Sequence, residues 1–172
     1  NIIIDSKSGY SGAGRSIHKK FKNKNLYGSL SAYGISNHRH NIEIEQEIKN
    51  ETNRNIEFTF TPHLSPMFRG IMTTIYVDIK KNSSINKIVN CLKKFYKNSK
   101  FINIQYNKLI STNDVIYTNF CKISVLKSKL KNKLIILSTV DNLIKGGAGQ
   151  AIQSMNIRFG FKDQEGLKWK KK

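Results

Sequence analysis

Cysteine is nearly absent. Cys91 and Cys121 are the only two in 172 residues, and neither has a second cysteine or a histidine at metal-ligand spacing. That excludes a metal site of the usual kind and a disulfide framework, and makes a reduced, cytoplasmic compartment the expectation. Long apolar runs are missing as well. No stretch approaches the ~18 apolar residues that would cross a bilayer, so no membrane association is expected, and the opening "NIIID" lacks the basic region, apolar region and cleavage site of a secretory leader. Acid is the third scarcity: 11 Asp and Glu face 30 Lys and Arg, for a formal net charge of +19.

What is present suits a folded domain. A hydrophobic share of 38% with 10% aromatics is enough to build one core and argues against disorder. The positive excess invites a nucleic-acid reading, because clustered Lys and Arg displace counterions from phosphate backbones. Yet it is almost all lysine, scattered through "KKFKNKN", "KKFYKNSK", "KSKLKNK" and "KWKKK" beside an abundance of Asn and Ile. These three residue types have the codons richest in A and T, so compositional drift accounts for the charge and no specific nucleic-acid partner is expected.

Along the chain, "IIIDSKSGYSGAGR" reads as a short buried strand entering a Gly/Ser loop that closes on Arg15, and "SIHKKFKNKNLYGS" as loop or frayed helix. A helix is expected from about Asn41 to Asn50, with Asn41 as its cap, Glu43 and Glu45 at the positive end of its dipole, and Ile44 and Ile48 on the buried face. "NIEFTFTPH" and "IMTTIYVDIK" alternate with the period of half-buried strands, and Pro66 and Gly70 bracket a turn between them. "SSINKIVNCLKKFYKNSK" sets Ile85, Ile88, Val89, Leu92, Phe95 and Tyr96 at helical spacing behind Ser84 as cap. Strands follow at "FINIQYN", "TNFCKISVLKSK" and "KLIILSTVD", then a Gly-rich stretch and a helix from about Gly149 to Phe159. The sum is a mixed, largely antiparallel α+β domain, without internal repeat or linker.

Two stretches carry potential chemistry. In "SGYSGAGR" the glycines let backbone amides approach an anion and Arg15 adds a forked charge, although the Lys-Ser/Thr ending of a nucleotide loop is absent. In "SNHRHNIEIEQEI", His38, Arg39 and His40 precede a helix, where they either converge on a ligand or lie in a solvated polar loop. "KGGAGQA" is no dinucleotide fingerprint, since it lacks a complete βαβ setting.

The ordered series "SGYSGAGR", "HRHNIEIEQE", "FTPHLSPMFRGI", "TNFC" and "DNLIKGGAGQAIQSMNIRFGF", from about Ile4 to Leu167, closely resembles the C-terminal part of the N-acetyl-gamma-glutamyl-phosphate reductases. The resemblance implies a fold like the C-terminal domain of glyceraldehyde-3-phosphate dehydrogenase, with residues 1–140 as a substrate-binding and dimerisation domain and 141–172 as a helix and tail facing a cofactor domain or subunit. It implies an oxidoreductase of arginine biosynthesis, reducing N-acetyl-glutamyl 5-phosphate to the semialdehyde with NADPH and releasing phosphate, in a homo-oligomer. It assigns acid/base work to His40 or His38; Glu43, three residues beyond His40, is spaced to orient or charge-stabilise that imidazole. Ser11, Gly12, Arg15, Arg39 and Arg69 become candidates for the substrate carboxylate or phosphate, although Arg69 is as readily a structural salt bridge of the "PMFRG" turn. Asn142 and Gly147 fall at the cofactor.

The departures are equally informative. The family's Asn-Pro-Gly-Cys-Tyr nucleophile motif and its dinucleotide fingerprint do not occur in these residues, and Cys91 and Cys121 match neither position. Ile42 stands where the family has proline after "HRHx". The chain by itself is therefore expected to be inactive, and the alternative is a noncatalytic basic module that binds RNA or another polyanion on a retained reductase fold.

If the charge is drift, RNA and DNA should bind this chain weakly, with steep salt dependence and no preference for sequence. Competition between unrelated polyanions at physiological salt checks this, and a marked preference for one RNA would contradict it.

Overall fold

The computed structural model describes residues 1–13 and 28–167. Seven strands form one mixed sheet: β1 (Ile2–Gly9), β2 (Ser31–Ala32), β3 (Phe58–Ser65), β4 (Ile71–Asp78), β5 (Ile102–Tyr106), β6 (Cys121–Lys127) and β7 (Lys133–Val140). Their spatial order is β2-β3-β1-β4-β7-β6-β5. The pairs β1/β3 and β5/β6 are parallel and the others antiparallel, as the alternating patterns imply for an α+β domain. Three α-helices lie among the described residues: α1 (His40–Thr52), α2 (Ile85–Phe95) and α3 (Gly149–Arg158).

Register turns the period-two sequences into faces. Phe60, Ile4, Ile75, Ile136 and Val125 lie side by side across five strands, and α2 packs on this face through Val89, Ile85, Ile88 and Leu92. Those α2 positions repeat at helical spacing, so one stripe is buried while Lys87, Lys93 and Lys94 point to water. Val125, Leu134 and Val89 form the dry centre, at 0%, 2% and 4% exposure. Burial of each contributes roughly 1.5–3 kcal/mol.

The opposite face carries another apolar row, Ile3, Tyr76, Ile135 and Leu126, across β1, β4, β7 and β6. Ile3 is 46% and Tyr76 40% exposed, and none of α1, α2 or the described loops buries them.

Helix α1 starts one residue earlier than expected, and Asn41 is not its cap. Arg39 occupies the cap position in helical conformation without a side-chain cap bond, and the Asn41 amide oxygen is buried with no hydrogen-bond partner among the described residues. Glu43 does sit in the first turn, and Ile44 and Ile48 are the half-buried side. At Ser84 the cap position is right, although the hydroxyl makes no cap bond. The reading of residues 16–27 as loop or frayed helix lies outside the described residues.

Val125→Ala should lower unfolding stability by about 2–3 kcal/mol through cavity formation, whereas Leu130→Ala, in the exposed β6–β7 turn, should change it by less than about 0.5 kcal/mol. Urea denaturation of the two variants checks where the core lies.

Candidate active site

The C-terminal end of β7 hands the chain to a buried carboxylate. Asp141 is wholly inaccessible, and its two oxygens accept four hydrogen bonds: Oδ2 from Arg69 Nε at 2.6 Å and from the Tyr117 amide at 2.6 Å, Oδ1 from the Leu143 and Ile144 amides, each at 2.8 Å. Burial pushes this carboxyl upward, but Arg69 and the three amides outweigh it and hold its pKa below the ordinary value. The guanidinium of Arg69 lies 4.5 Å from the ring centre of Tyr117. Tyr117 adopts φ +63°, a left-handed conformation costly for an aromatic residue.

The neighbouring Asn142 fastens the adjacent loops. Its Oδ1 accepts the Gly70 amide at 2.7 Å, and its Nδ2 donates to Ser11 Oγ at 3.0 Å and to the Gly9 carbonyl at 3.4 Å. The β3–β4 turn closes on the end of β1 in the same way. The amides of Gly9, Tyr10 and Ser11 donate to the carbonyls of Gly70, Met67 and Phe68. A Cβ at Gly9 would come within 2.8 Å of the Arg69 amide nitrogen, and Gly70 holds φ +103° with Thr112 2.7 Å from where its Cβ would be. Both positions require glycine.

The histidines assemble elsewhere on the sheet. The His38 ring packs edge-on against Tyr33 at 5.4 Å, Phe60 at 5.4 Å and His40 at 4.8 Å, and its Nδ1 accepts the His40 amide at 3.2 Å. Desolvation, together with the charges of His40 and Arg39, lowers the His38 pKa against the opposing pull of Glu43. An imidazole that accepts at Nδ1 carries its proton on Nε2 when neutral. Beside this pair, between the start of α1 and β3, opens a cleft of about 530 Å³ lined by Asn41, Ile42, Ile56, Phe58 and two carboxylates, Glu45 and Glu57. Its charge repels anions.

His38, His40, Arg39 and Glu43 thus form one neighbourhood, and Ser11, Arg69 and Asn142 another. Phe60, against which His38 packs, is in register with Ile4, five residues before Gly9. At ~3.3 Å per residue the backbone levels of Phe60 and Gly9 are roughly 16 Å apart along the strand. Arg15, expected to join them, lies outside the described residues, and Gly12 is exposed beside the Asn142 amide. Gly147 is exposed at a kink (φ −151°, ψ −113°) inside the tight turn Ile144–Ala148. Exposed backbone at Gly146 and Gly147 permits close approach of a flat ring, whereas the Asn142 amide is taken up by the loops, so the fit to a nicotinamide rests on the glycines.

Cys121 is buried, 3.5 Å from Ser138 Oγ, and burial raises its pKa. That is the setting of a small packed residue, not a nucleophile. Nearby, Lys145 Nζ and Asn119 Nδ2 both donate to Gln153 Oε1, at 2.7 and 3.0 Å, fastening α3 to the segment before β6. Sequence reasoning missed Asp141, Tyr117 and this lysine. Asp141 stood within the quoted "DNL" run and was passed over for its neighbour; Tyr117 has no local signal, because its importance is its backbone angle.

Residues 1–142 match the family model described as semialdehyde dehydrogenase, dimerisation domain. The chain is 45% identical over 169 residues to the N-acetyl-gamma-glutamyl-phosphate reductase of Brachyspira hyodysenteriae, covering 97% of this chain and 48% of that protein. It is 43% identical over 171 residues to that of Clostridium novyi, with the same coverage. The chain spans about half the length of the curated relatives it matches. Among solved structures, an aspartate semialdehyde dehydrogenase II from Vibrio cholerae superposes with TM-score 0.65 at 16% identity, over 93% of this chain and 55% of that one. A probable aspartate-semialdehyde dehydrogenase from Pseudomonas aeruginosa gives TM-score 0.67 at 12% identity, over 93% and 55%.

Asp141→Asn should cost about 3 kcal/mol at neutral pH, since it leaves the half-buried Arg69 without its counter-charge. A carboxyl with a depressed folded pKa contributes stability above its unfolded value of ~3.9 and loses it as pH falls through the folded value. The gap between wild type and variant should therefore narrow steadily below about pH 4, and urea titrations from pH 7 to pH 2.5 check it.

Proposed function

Because the chain belongs to the semialdehyde dehydrogenase dimerisation-domain family, we propose that it is the substrate-binding and dimerisation half of an N-acetyl-gamma-glutamyl-phosphate reductase of arginine biosynthesis. The observation that carries this reading is the match to reductases at 41–45% identity over nearly the whole chain, accompanied by a paired-histidine cluster and a half-buried arginine on a buried carboxylate. The reaction would be NADPH-dependent reduction of N-acetyl-glutamyl 5-phosphate to the semialdehyde with release of phosphate, in the cytoplasm. Among the described residues no helix is long and apolar enough to cross a membrane.

The two histidines divide the work. His38 is packed, biased toward neutrality and hydrogen-bonded to the His40 backbone, so it serves to orient. His40 is the acid/base, with Glu43 balancing positive charge at the pair. Arg15, Arg39 and Arg69, with Ser11 and Gly12, are the groups proposed to hold the substrate's anionic ends. NADP would supply hydride, and Gly147, with Asn142 behind it, is the side of this chain proposed to meet it. The nucleophilic cysteine and the cofactor fold would come from a separate domain or subunit, packed on residues 141–172. Ile152, Met155, Ile157 and Phe159 are 38–71% exposed on and after α3, an apolar surface that such a partner would cover.

The open sheet face fits a second copy of the chain. Its row of Ile3, Tyr76, Ile135 and Leu126 is apolar, and pairing two such faces would bury it as in other homo-oligomers.

The purified chain should show no phosphate-dependent NADP reduction with the semialdehyde, and turnover should appear when a separately produced cofactor domain bearing the Pro-Gly-Cys segment is added. Turnover by the chain alone that survives replacement of both Cys91 and Cys121 would overturn the reading.

A further inference from the structure

The open face of the sheet is not apolar throughout. Alternate residues of a strand share a side, so β1 sets Asp5 and Lys7 on the same face as Ile3, and His63 of β3 stands in register with Lys7. Asp5 Oδ1 lies 2.5 Å from Lys7 Nζ and 3.3 Å from His63 Nδ1. The Asp5 and Lys7 side chains are each 32% exposed and that of His63 18%. Asp5 Oδ1 and His63 Nδ1 are themselves inaccessible, yet neither completes a well-directed hydrogen bond among the described residues. A charged cluster held at ion-pair distance with its hydrogen bonding unfinished is unfavourable in the lone chain. It stands beside Ile3 and Tyr76, which the described residues leave uncovered.

We propose that Asp5, Lys7 and His63 pin the register in which two copies of the chain meet through this face. The proposal rests on the reading of the open face as the contact between copies, which the match of residues 1–142 to a dimerisation domain supports. Apolar rows slide on one another at little cost, because the hydrophobic effect has no direction. A charged cluster does not. A displaced register lays aliphatic side chains of the other copy over it and removes water without supplying donors or acceptors. In a two-fold pair each copy carries the cluster, so the penalty for a wrong register is met twice. His63 is the member that reaches across: with Nδ1 turned to Asp5, Nε2 is the ring nitrogen left to meet the other copy.

The test is sedimentation of the full chain over a range of concentrations, combined with the distance between spin labels on Cys91 of the two copies. Cys91 is exposed on α2 and Cys121 is buried, so one site per chain takes the label. Wild type should dimerise with a single narrow distance. His63→Leu, which leaves Asp5 and Lys7 in place, should weaken the dimer about tenfold or more. Asp5→Leu/Lys7→Leu/His63→Leu makes the face apolar throughout; it should associate at least as tightly, with a broadened or multiple distance. Tyr76→Lys, in the middle of the apolar row, should abolish the dimer. In that monomeric background His63→Leu should move the melting temperature by less than about 2 °C, which places its effect at the contact and not in the fold. Unaltered dimer affinity in a folded His63→Leu chain, or an unchanged narrow distance in the triple variant, would overturn the pin; if Tyr76→Lys still breaks the dimer, the reading of the face stands without it. A monomeric wild type, or a dimer that Tyr76→Lys leaves intact, would overturn both.

Discussion

One carboxylate organises the end of the sheet where four segments meet. Asp141 is among only 11 acidic residues in a chain of net charge +19, and it is placed where no water reaches it. An isolated carboxylate there would be prohibitively costly, so its four hydrogen bonds and its arginine are a condition of folding as much as a product of it. Through those bonds it fixes the β3–β4 turn, the residue 112–118 segment and the start of the C-terminal turn relative to one another. Asn142 extends the same junction to the loop after β1.

This junction explains why small residues recur around it. Backbone passes against backbone at Gly9, and the chain reverses through a left-handed angle at Gly70 under the Thr112 side chain. With Asp141 and Asn142 they make the loop end of the sheet rigid without a large apolar core, which lies instead under α2 at Val89, Val125 and Leu134. The division is physically sensible. The apolar half contributes stability, and the polar half fixes the geometry of the groups proposed to meet a charged ligand.

Among the described residues, a group of lysines gathers at the opposite end of β6 and β7. Lys127, Lys129, Lys131 and Lys133 lie in or beside the β6–β7 hairpin, and the Ile79 amide bonds the Asn132 carbonyl there, bringing Lys80 and Lys81 to the same end. Asp78 answers them with ion pairs to Lys133 and the N-terminal amine. Two acids of α1, Glu43 and Glu45, lie by contrast near the histidines. Glu45 and Glu57 line the cleft beside them, so that cleft is unsuited to an acyl phosphate, and Glu43 tempers the charge on His38.

Most of the fold was legible in order and type. Alternation marked β3 and β4, and the spacing of Ile85, Ile88, Val89 and Leu92 marked α2, because period and burial are local properties of a chain with one wet and one dry side. Family membership was legible from five short motifs. The cap of α1 was not, because Asn41 competes with a backbone already helical at Arg39 and loses. Nor were the partners of each site residue. Arg69 and Asp141 are 72 positions apart, and nothing in either neighbourhood says that one neutralises the other. The sequence by itself determined the elements, the charge and the kinship. Only the tertiary structure decided that the histidines pack together at the level of Phe60, while Arg69 and Asn142 belong to the far end of the strands, since sheet register converts positions distant in sequence into contacts that no local pattern encodes.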